Sequence, residues 1–149
     1  MAFIVNDDVE LAIKVEADGV HLGQNDISYP AARRILGNDK IIGISCYNNL
    51  SRAIDAAAKG ASYIALGSFY DSVTKKIAPR CGIDVLQQTT KKIKVPIVAI
   101  GGITAKNGLI LIENGANFLA CIDALFKDNN GFNSARELNL LFERVIANE

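Results

Sequence analysis

Six short apolar or β-branched segments recur along the chain, and each of them precedes a segment with helical periodicity. The six segments are Phe3 to Val5, Gly19 to Leu22, Ile41 to Ser45, Tyr63 to Gly67, Ile97 to Ile100 and Phe118 to Ile122. Between them, apolar residues follow the i, i+3, i+4 spacing that places side chains on one face of a helix. A last helix is predicted from Ser134 to Ala147.

This alternation of strands and helices predicts the fold class. The strands are almost continuously apolar, which is typical of parallel strands that are covered on both faces. One strand and one helix recur every roughly 20 to 25 residues, which predicts an α/β fold of the (β/α) TIM-barrel type. An open, doubly wound sheet is the alternative.

The composition limits the class of protein further. The chain has 149 residues, half of them hydrophobic, so we expect one domain over residues 1–149. Its 16 basic and 16 acidic residues balance, which gives no electrostatic reason to expect nucleic acid or an anionic membrane surface as a partner. Three widely spaced cysteines and one histidine predict no zinc site and favour the reducing cytoplasm. No apolar run reaches the roughly 18 to 20 residues of a membrane helix, so we expect neither a membrane span nor an export signal.

Two aspartates follow neighbouring predicted strands at the edge where such folds carry their functional sites. Asp7 lies in the segment Asn6-Asp7-Asp8 that follows the first strand, and Asp26 follows the second. Their carboxylates are expected to converge and to offer oxygen ligands to Mg²⁺. The alternative is that Asp7 or Asp8 only caps the helix that follows.

Two loops at the same edge have the composition of phosphate sites. The loop Ser72-Val73-Thr74-Lys75-Lys76 gathers hydroxyl and ammonium groups beyond the fourth strand. The pair Gly101-Gly102, followed by Thr104 after the fifth strand, lets backbone N–H groups approach an anion. An exposed polar loop and a tight turn are the respective alternatives. Together with the aspartates, the loops predict a substrate with phosphate at one end and a magnesium-bound diphosphate at the other.

His21 and Cys46 are weaker candidates. His21 has no acid or nucleophile beside it in the sequence, which favours a packed strand residue over a proton carrier. Cys46, next to Ser45, is expected to be a buried free thiol. Because no Ser–His or His–carboxylate pair is evident at the strand ends, nucleophilic chemistry is not expected.

Five phrases, taken together, resemble the thiamine-phosphate synthase family. They run in order over about residues 3 to 126 and are much more specific as a set than singly. The phrases are Ile4-Val5-Asn6-Asp7, Asp18-Gly19-Val20-His21-Leu22-Gly23-Gln24-Asn25-Asp26, Ile42-Gly43-Ile44-Ser45, Tyr63 through Lys76 and Pro96 through Thr104.

The resemblance implies an eight-stranded (β/α) barrel and a transferase activity. Such an enzyme joins hydroxymethylpyrimidine diphosphate to a thiazole phosphate, releasing diphosphate and giving thiamine phosphate. The resemblance also implies Mg²⁺ as the cofactor, with Asp7 and Asp26 as its ligands. Asn6, Ser45 and Lys75 resemble the contacts to the pyrimidine diphosphate.

The thiazole phosphate has its own set of residues in the resemblance. It would be met by Ser72, Val73 and Thr74 and by the backbone of Gly102, Ile122 and Asp123. The implied mechanism is dissociative: Mg²⁺ and Lys75 stabilise the leaving diphosphate, and the thiazole nitrogen captures the pyrimidine-methyl cation. Lys75 and Ser45 are the implied catalytic residues, through charge stabilisation and positioning rather than acid–base chemistry.

The sequence departs from the family pattern in two respects. Two βα units that precede the first strand in the family, and the Gln-Leu-Arg-x-Lys phrase that the second of them carries, have no match here. We therefore expect an incomplete barrel with six of eight units, whose open strand edges invite a strand-completing partner or a homo-oligomer. Asp123 also stands where the family often presents Ser, and its carboxylate would repel a phosphate that it faced.

Two alternatives to an active synthase follow from these departures. A related thiazole tautomerase would be expected to carry a histidine after Ser45, where this chain has Cys46-Tyr47. A non-catalytic, phosphate-binding fragment is the other alternative, because the Arg-x-Lys phrase has no match. On that account we expect little or no thiamine phosphate formation by residues 1–149 alone.

Overall fold

The computed structural model describes residues 1–71, 80–127 and 130–147, so the predicted anion loop Ser72 to Lys76 lies outside the described residues. Strands and helices alternate as the sequence pattern predicts. In chain order they are β1 (Ile4–Asn6), α1 (Val9–Lys14), β2 (Gly19–Leu22), α2 (Tyr29–Leu36), β3 (Ile41–Tyr47), α3 (Leu50–Ala58), β4 (Tyr63–Gly67), α4 (Ile83–Lys92), β5 (Ile97–Ile100), α5 (Leu109–Glu113), β6 (Phe118–Ala120), α6 (Asp123–Phe126) and α7 (Gly131–Ile146).

The described residues form six strands, which are all parallel and lie in the sheet in the order of the chain. A doubly wound sheet reverses its strand order at a switch point, whereas a barrel keeps sequential neighbours together. The prediction of a (β/α) fold of the TIM type is confirmed, and the described residues form a half-barrel. Within them, β1 pairs only with β2 and β6 only with β5, so each has one open edge.

The hydrophobic core lies between the sheet and the helices. Strand residues on this outer face are almost fully buried, among them Val20, Ile42, Ile64, Leu66 and Ile97. Each aliphatic side chain removed from water in this way contributes roughly 1.5–3 kcal/mol. The helices approach the sheet closely because they present small residues to it, Ala12, Ala32 and Ala53.

The inner face of the sheet carries smaller and more polar residues. Residues paired in register on parallel strands point to the same side, so Asn6, His21, Gly43 and Tyr63 share this face. Toward β6 it is partly open, with Phe118 56% exposed. The prediction that both faces of the strands are covered is therefore wrong for the inner face, because the helices lie on the outer face.

A few element boundaries differ from the predicted ones. β3 continues to Tyr47, and α7 begins at Gly131 rather than at Ser134. The helix α6 is absent from the sequence prediction, because four residues are too few to show a helical period. Among the residues that the structure describes, no helix has both the length and the apolar character needed to cross a membrane.

Candidate active site

The turn after β1 assigns different roles to Asp7 and Asp8. Asp8 is the N-cap of α1, and its Oδ1 accepts the N–H of Leu11 at 2.8 Å. Asp7 has a left-handed backbone (φ 65°), and its N–H donates to the carbonyl of His21 on β2 at 2.8 Å. The capping alternative therefore applies to Asp8, while Asp7 is anchored through its backbone to the neighbouring strand.

Asp26 closes the loop that follows β2. Its Oδ2 accepts the N–H of Gly23 at 2.6 Å, which fixes the carboxylate beside the end of the strand. Asp7 and Asp26 line the same depression, about 390 Å³ in volume, whose remaining lining residues are Asp8, Val9, Glu10, Ile27 and Ile35. The two aspartates that the sequence placed on neighbouring strand ends thus border one space.

This pair of carboxylates fits magnesium in its chemistry. Mg²⁺ usually binds one or two carboxylates and takes its remaining oxygen ligands from water and substrate phosphates. In the described ranges, no group of three or more His, Cys, Asp or Glu side chains is arranged to hold a metal ion. A magnesium ion at Asp7 and Asp26 would therefore depend on water and substrate oxygens for the rest of its coordination.

Ser45, His21 and Tyr63 form a hydrogen-bonded row on the inner face of the sheet. Nε2 of His21 lies 2.8 Å from Oγ of Ser45, and Nδ1 lies 3.0 Å from the hydroxyl of Tyr63. The rings of His21 and Tyr63 are stacked, with centroids 5.5 Å apart. The three residues come from β2, β3 and β4, so three adjacent strands hold the Ser45 hydroxyl in place.

The sequence interpretation of this region needs correction. The sequence pattern predicts no Ser–His pair and favours a packed strand residue at His21, but the structure brings the two side chains together across neighbouring strands. The imidazole is oriented by Tyr63, which its other nitrogen contacts, rather than by a carboxylate. Burial lowers the pKa of His21, and the charge of Asp26 opposes this only in part. At neutral pH the imidazole is therefore a neutral hydrogen-bonding partner of Ser45, and the arrangement favours positioning over nucleophilic catalysis.

Asn107 joins the loops that follow β4 and β5, and the sequence interpretation missed it. Its side chain donates to the carbonyl of Gly102 at 3.0 Å and accepts the N–H of Thr104 at 2.7 Å. The main-chain carbonyl of Asn107 accepts a hydrogen bond from the hydroxyl of Tyr70 at 2.8 Å. The Asn107-Gly108 pair, typical of turns, was the available signal for a structured loop.

The pair Gly101-Gly102 is required by close packing as well as by its turn. Both residues have positive φ angles, 106° and 58°. A Cβ on Gly101 would overlap the hydroxyl of Ser68, and one on Gly102 would overlap the carbonyl oxygen of Asp71. The tight-turn alternative is therefore sufficient to explain the two glycines, and a phosphate contact by Gly102 stays a prediction.

The remaining predicted site residues divide into two groups. Ile122 is 58% exposed and is the N-cap of α6. Asp123 is the first residue of α6 and is partly exposed. The predictions for Ser72, Val73, Thr74 and Lys75 fall outside the described residues. That segment is flanked by Asp71 and Arg80, which form an ion pair with each other.

A parallel half-barrel with carboxylates, a hydroxyl and an imidazole at one end belongs to the TIM-barrel class of proteins, whose functional sites lie at the carboxyl ends of the strands. A family model described as thiamine monophosphate synthase (TMP-TENI) matches residues 1–125. The chain belongs to this family.

Individual relatives agree with this assignment. The thiamine-phosphate synthase of Nitrosospira multiformis is 48% identical over 141 residues, which cover 95% of this chain and 60% of that protein. The thiamine-phosphate synthase of Thiobacillus denitrificans is 50% identical over 139 residues, covering 93% of this chain and 66% of that protein. Among solved structures, thiamine phosphate pyrophosphorylase from Pyrococcus furiosus has a TM-score of 0.87 at 33% identity, covering 97% of this chain and 68% of that one. The chain thus spans less than two thirds of the length of the Nitrosospira synthase and about two thirds of the other two proteins.

Proposed function

We propose that this chain supplies most of the active site of a Mg²⁺-dependent thiamine-phosphate synthase. The observation that carries the proposal is that Asp7 and Asp26, in a member of this family, line one depression. In the proposed reaction, the bond between the methylene carbon of hydroxymethylpyrimidine diphosphate and its diphosphate oxygen breaks. The diphosphate leaves with the electron pair, and the same carbon forms a bond to the nitrogen of the thiazole phosphate. The products are thiamine phosphate and diphosphate.

Asp7 and Asp26 are proposed to hold the metal. When bound, Mg²⁺ would supply positive charge that offsets the charge of the leaving diphosphate. The N–H of Gly23 orients the carboxylate of Asp26, and the backbone bond from Asp7 to His21 fixes the turn that carries Asp7. Asp7, directly after β1, and Asp26, in the loop after β2, are thus both held by hydrogen bonds, which lowers the cost of organising the site.

Ser45 and Asn6 are proposed to position the pyrimidine. Asn6 ends β1 in register with His21, and Ser45 is hydrogen-bonded to His21, so all three share the inner face. In the tautomer proposed here, Nδ1 of the neutral His21 imidazole accepts the Tyr63 hydroxyl and Nε2–H donates to Oγ of Ser45, which leaves the Ser45 hydroxyl proton free to donate to a pyrimidine nitrogen. We assign Ser45 to substrate binding and His21 and Tyr63 to holding Ser45.

The remaining proposed roles follow the family phrases. Lys75 is proposed to stabilise the leaving diphosphate as a point charge. Asp123 would contribute its backbone alone, since its carboxylate would repel a phosphate. The proposed contacts to the thiazole phosphate are Ser72, Val73, Thr74 and the backbone of Gly102, Ile122 and Asp123.

The tautomerase alternative is less well supported. Cys46 stands where that activity would call for a histidine, and its side chain is fully buried. Burial raises the pKa of the Cys46 thiol to about 12, with the charge of Arg52 opposing. A thiol that stays protonated inside the core offers no general base at neutral pH.

We further propose that residues 1–149 form one (β/α)-barrel domain that needs two additional βα units to close. Parallel barrels of this class have eight strands, and open edges such as those of β1 and β6 are liable to pair with other chains. About a third of the Pyrococcus furiosus chain has no counterpart here, which is room for two such units. The proposed partner is therefore a strand-completing polypeptide, with a second copy of this chain as the alternative.

A cytoplasmic location is also proposed. All three cysteines are free, and Cys46 and Cys81 are buried. Unpaired cysteines are typical of proteins from reducing compartments.

The activity is tested with two proteins. One is the chain itself, and the other carries in addition the part of the Nitrosospira multiformis synthase that has no counterpart here. Each is incubated with hydroxymethylpyrimidine diphosphate, the thiazole phosphate and Mg²⁺, and thiamine phosphate is quantified by chromatography. We expect product from the completed protein and little or none from the chain alone.

Two variants of the completed protein sharpen this test. Asp26→Asn should lower the rate by about 100-fold or more, as expected when a charge-stabilising group is lost. Glu10→Gln removes a carboxylate from the same depression that is not a proposed ligand, and it should retain most of the rate. A folded, completed protein without product would refute the proposed activity, whereas turnover by the chain alone would refute the need for two more units.

A further inference from the structure

Arg52 connects strand β3, which carries Ser45, to the loop after β2, which carries Asp26. It lies in the first turn of α3, where its backbone N–H is bound by the N-cap side chain of Asn49 at 2.9 Å. Its Nε donates to the carbonyl of Ser45 at 2.7 Å, and its Nη2 donates to the carbonyl of Gly23 at 3.2 Å. One guanidinium thus binds the backbone of β3 at Ser45 and the backbone directly after β2 at Gly23.

The two carbonyls that Arg52 binds belong to a proposed substrate contact, Ser45, and to Gly23, which holds the proposed metal ligand Asp26. Gly23, whose carbonyl Arg52 binds, uses its N–H to hold Oδ2 of Asp26 at 2.6 Å. Ser45, whose carbonyl Arg52 also binds, places its hydroxyl 2.8 Å from His21. A shift of the guanidinium would therefore move a metal ligand and a substrate contact relative to each other.

We propose that Arg52 is a positioning residue that fixes the separation between Ser45 and the carboxylate of Asp26. The inference rests on the proposed function of those two residues. Arg52 itself touches neither reacting group; it acts through the carbonyls of Gly23 and Ser45. Its planar fork can donate to two carbonyls in a fixed geometry, whereas a lysine ammonium acts as a point charge on a flexible stem.

The surroundings of Arg52 favour this role over a simple surface charge. The side chain is half-buried, and among the described residues the ion pairs are Lys59–Asp55 and Arg80–Asp71, neither of which involves Arg52. Its side-chain hydrogen bonds go to the main-chain carbonyls of Ser45 on β3 and of Gly23 after β2. The guanidinium therefore binds the backbone of the site rather than an acidic side chain.

Arg33 provides a matched control elsewhere in the fold. It also donates to main-chain carbonyls, those of Gly37 and Lys40 at 2.9 and 2.6 Å. These carbonyls lie between α2 and β3, at the end of the sheet opposite to the site. Arg33→Gln removes main-chain hydrogen bonds of the same kind as Arg52→Gln, together with the contacts of Arg33 to Tyr29, and leaves the contacts of Ser45 and Asp26 in place.

The test uses the full chain, with Mn²⁺ and inorganic diphosphate as probes, and compares the wild type with Arg52→Gln, Arg52→Lys and Arg33→Gln. Mn²⁺ affinity is measured by electron paramagnetic resonance. The ring signals of His21, the only histidine in the chain, are recorded by NMR at one fixed pH. We expect Arg52→Gln to weaken Mn²⁺ binding roughly tenfold and to shift the His21 signals. Arg52→Lys should weaken it nearly as much, and Arg33→Gln should change neither measurement.

Two results would overturn the inference. One is a folded Arg52→Gln protein with wild-type Mn²⁺ affinity and unchanged His21 signals, and the other is an equal loss in Arg33→Gln. If Arg52→Gln fails to fold by circular dichroism, Arg52→Lys gives the same decision. If the wild type binds no Mn²⁺, the proposed metal site fails, while the His21 signals still decide whether Arg52 positions Ser45.

Discussion

The ring of Tyr63 lies over Gly43, in the space that a side chain at position 43 would occupy. A Cβ built on Gly43 would overlap the hydroxyl end of this ring. Gly43 pairs in register with His21 on one side and with Tyr63 on the other. Because glycine has no side chain, the Tyr63 ring can extend across β3 to His21, which is itself hydrogen-bonded to Ser45.

Gly43→Ala should consequently displace the Tyr63 ring. We expect it to lower the free energy of unfolding by about 1–3 kcal/mol, as is typical of overpacking. Tyr63→Ala in the same chain should remove much of this penalty, because the two changes share one space and are not additive. Tyr63→Phe keeps the ring and should not relieve it. Urea denaturation of the variants measures the coupling, and additive effects of Gly43→Ala and Tyr63→Ala would contradict the steric account.

Much of the fold was predictable because it depends on short-range patterns. Apolar runs and helical spacing locate the six strands, and consecutive βα units place neighbouring strands side by side. The same argument placed Asp7 and Asp26 together, since they follow consecutive strands. The exposure of the inner face toward Phe118 was not predictable from these patterns, because burial of a face depends on what packs against it.

The row of Ser45, His21 and Tyr63 illustrates what the sequence pattern could not provide. In the sequence, Ser45 lies 24 positions from His21, and Tyr63 lies 42 positions from His21. Their contact depends on the register between the strands. A slip of one residue would turn the side chains of a strand to the opposite face of the sheet. Arg52 was missed for a related reason: its side chain donates to main-chain carbonyls, and no residue pattern marks such acceptors.

His21 should make the stability of the protein depend on pH. Burial lowers its pKa in the folded state below the ordinary value of 6.5. The unfolded chain therefore binds the proton more readily, so stability is complete above about pH 6.5 and falls as the pH drops through the interval down to the folded-state pKa. Comparing urea unfolding of the wild type and His21→Gln at pH 7.5 and 5.5 isolates this contribution. An identical pH dependence in both proteins would mean that His21 is not the titrating group.

We expect Asp7 to act as a metal ligand and Asp8 as the N-cap of α1. Asp8→Ala removes the N-cap of α1 and should lower the free energy of unfolding by about 1 kcal/mol, while Asp8→Asn keeps a good cap and should cost little. Asp7→Asn should abolish Mn²⁺ binding with a smaller loss of stability, because Asn tolerates the left-handed backbone of this residue. Thermal unfolding and Mn²⁺ titration of the three variants give both quantities. Loss of Mn²⁺ binding in Asp8→Ala, with Asp7→Asn unaffected, would reverse the assignment.

Phe118 tests whether further strands cover the open end of the sheet. In the chain alone its side chain is 56% exposed, so Phe118→Ala should cost well below the roughly 3–5 kcal/mol of a buried phenylalanine. In the protein completed with two βα units, the same change should reach that range, because added strands beside β6 would bury the ring. Leu66→Ala, at a position that is fully buried in the half-barrel, should cost about 2–5 kcal/mol in both proteins and serves as the control. An equal, small cost of Phe118→Ala in both proteins would show that nothing packs on the inner face at β6.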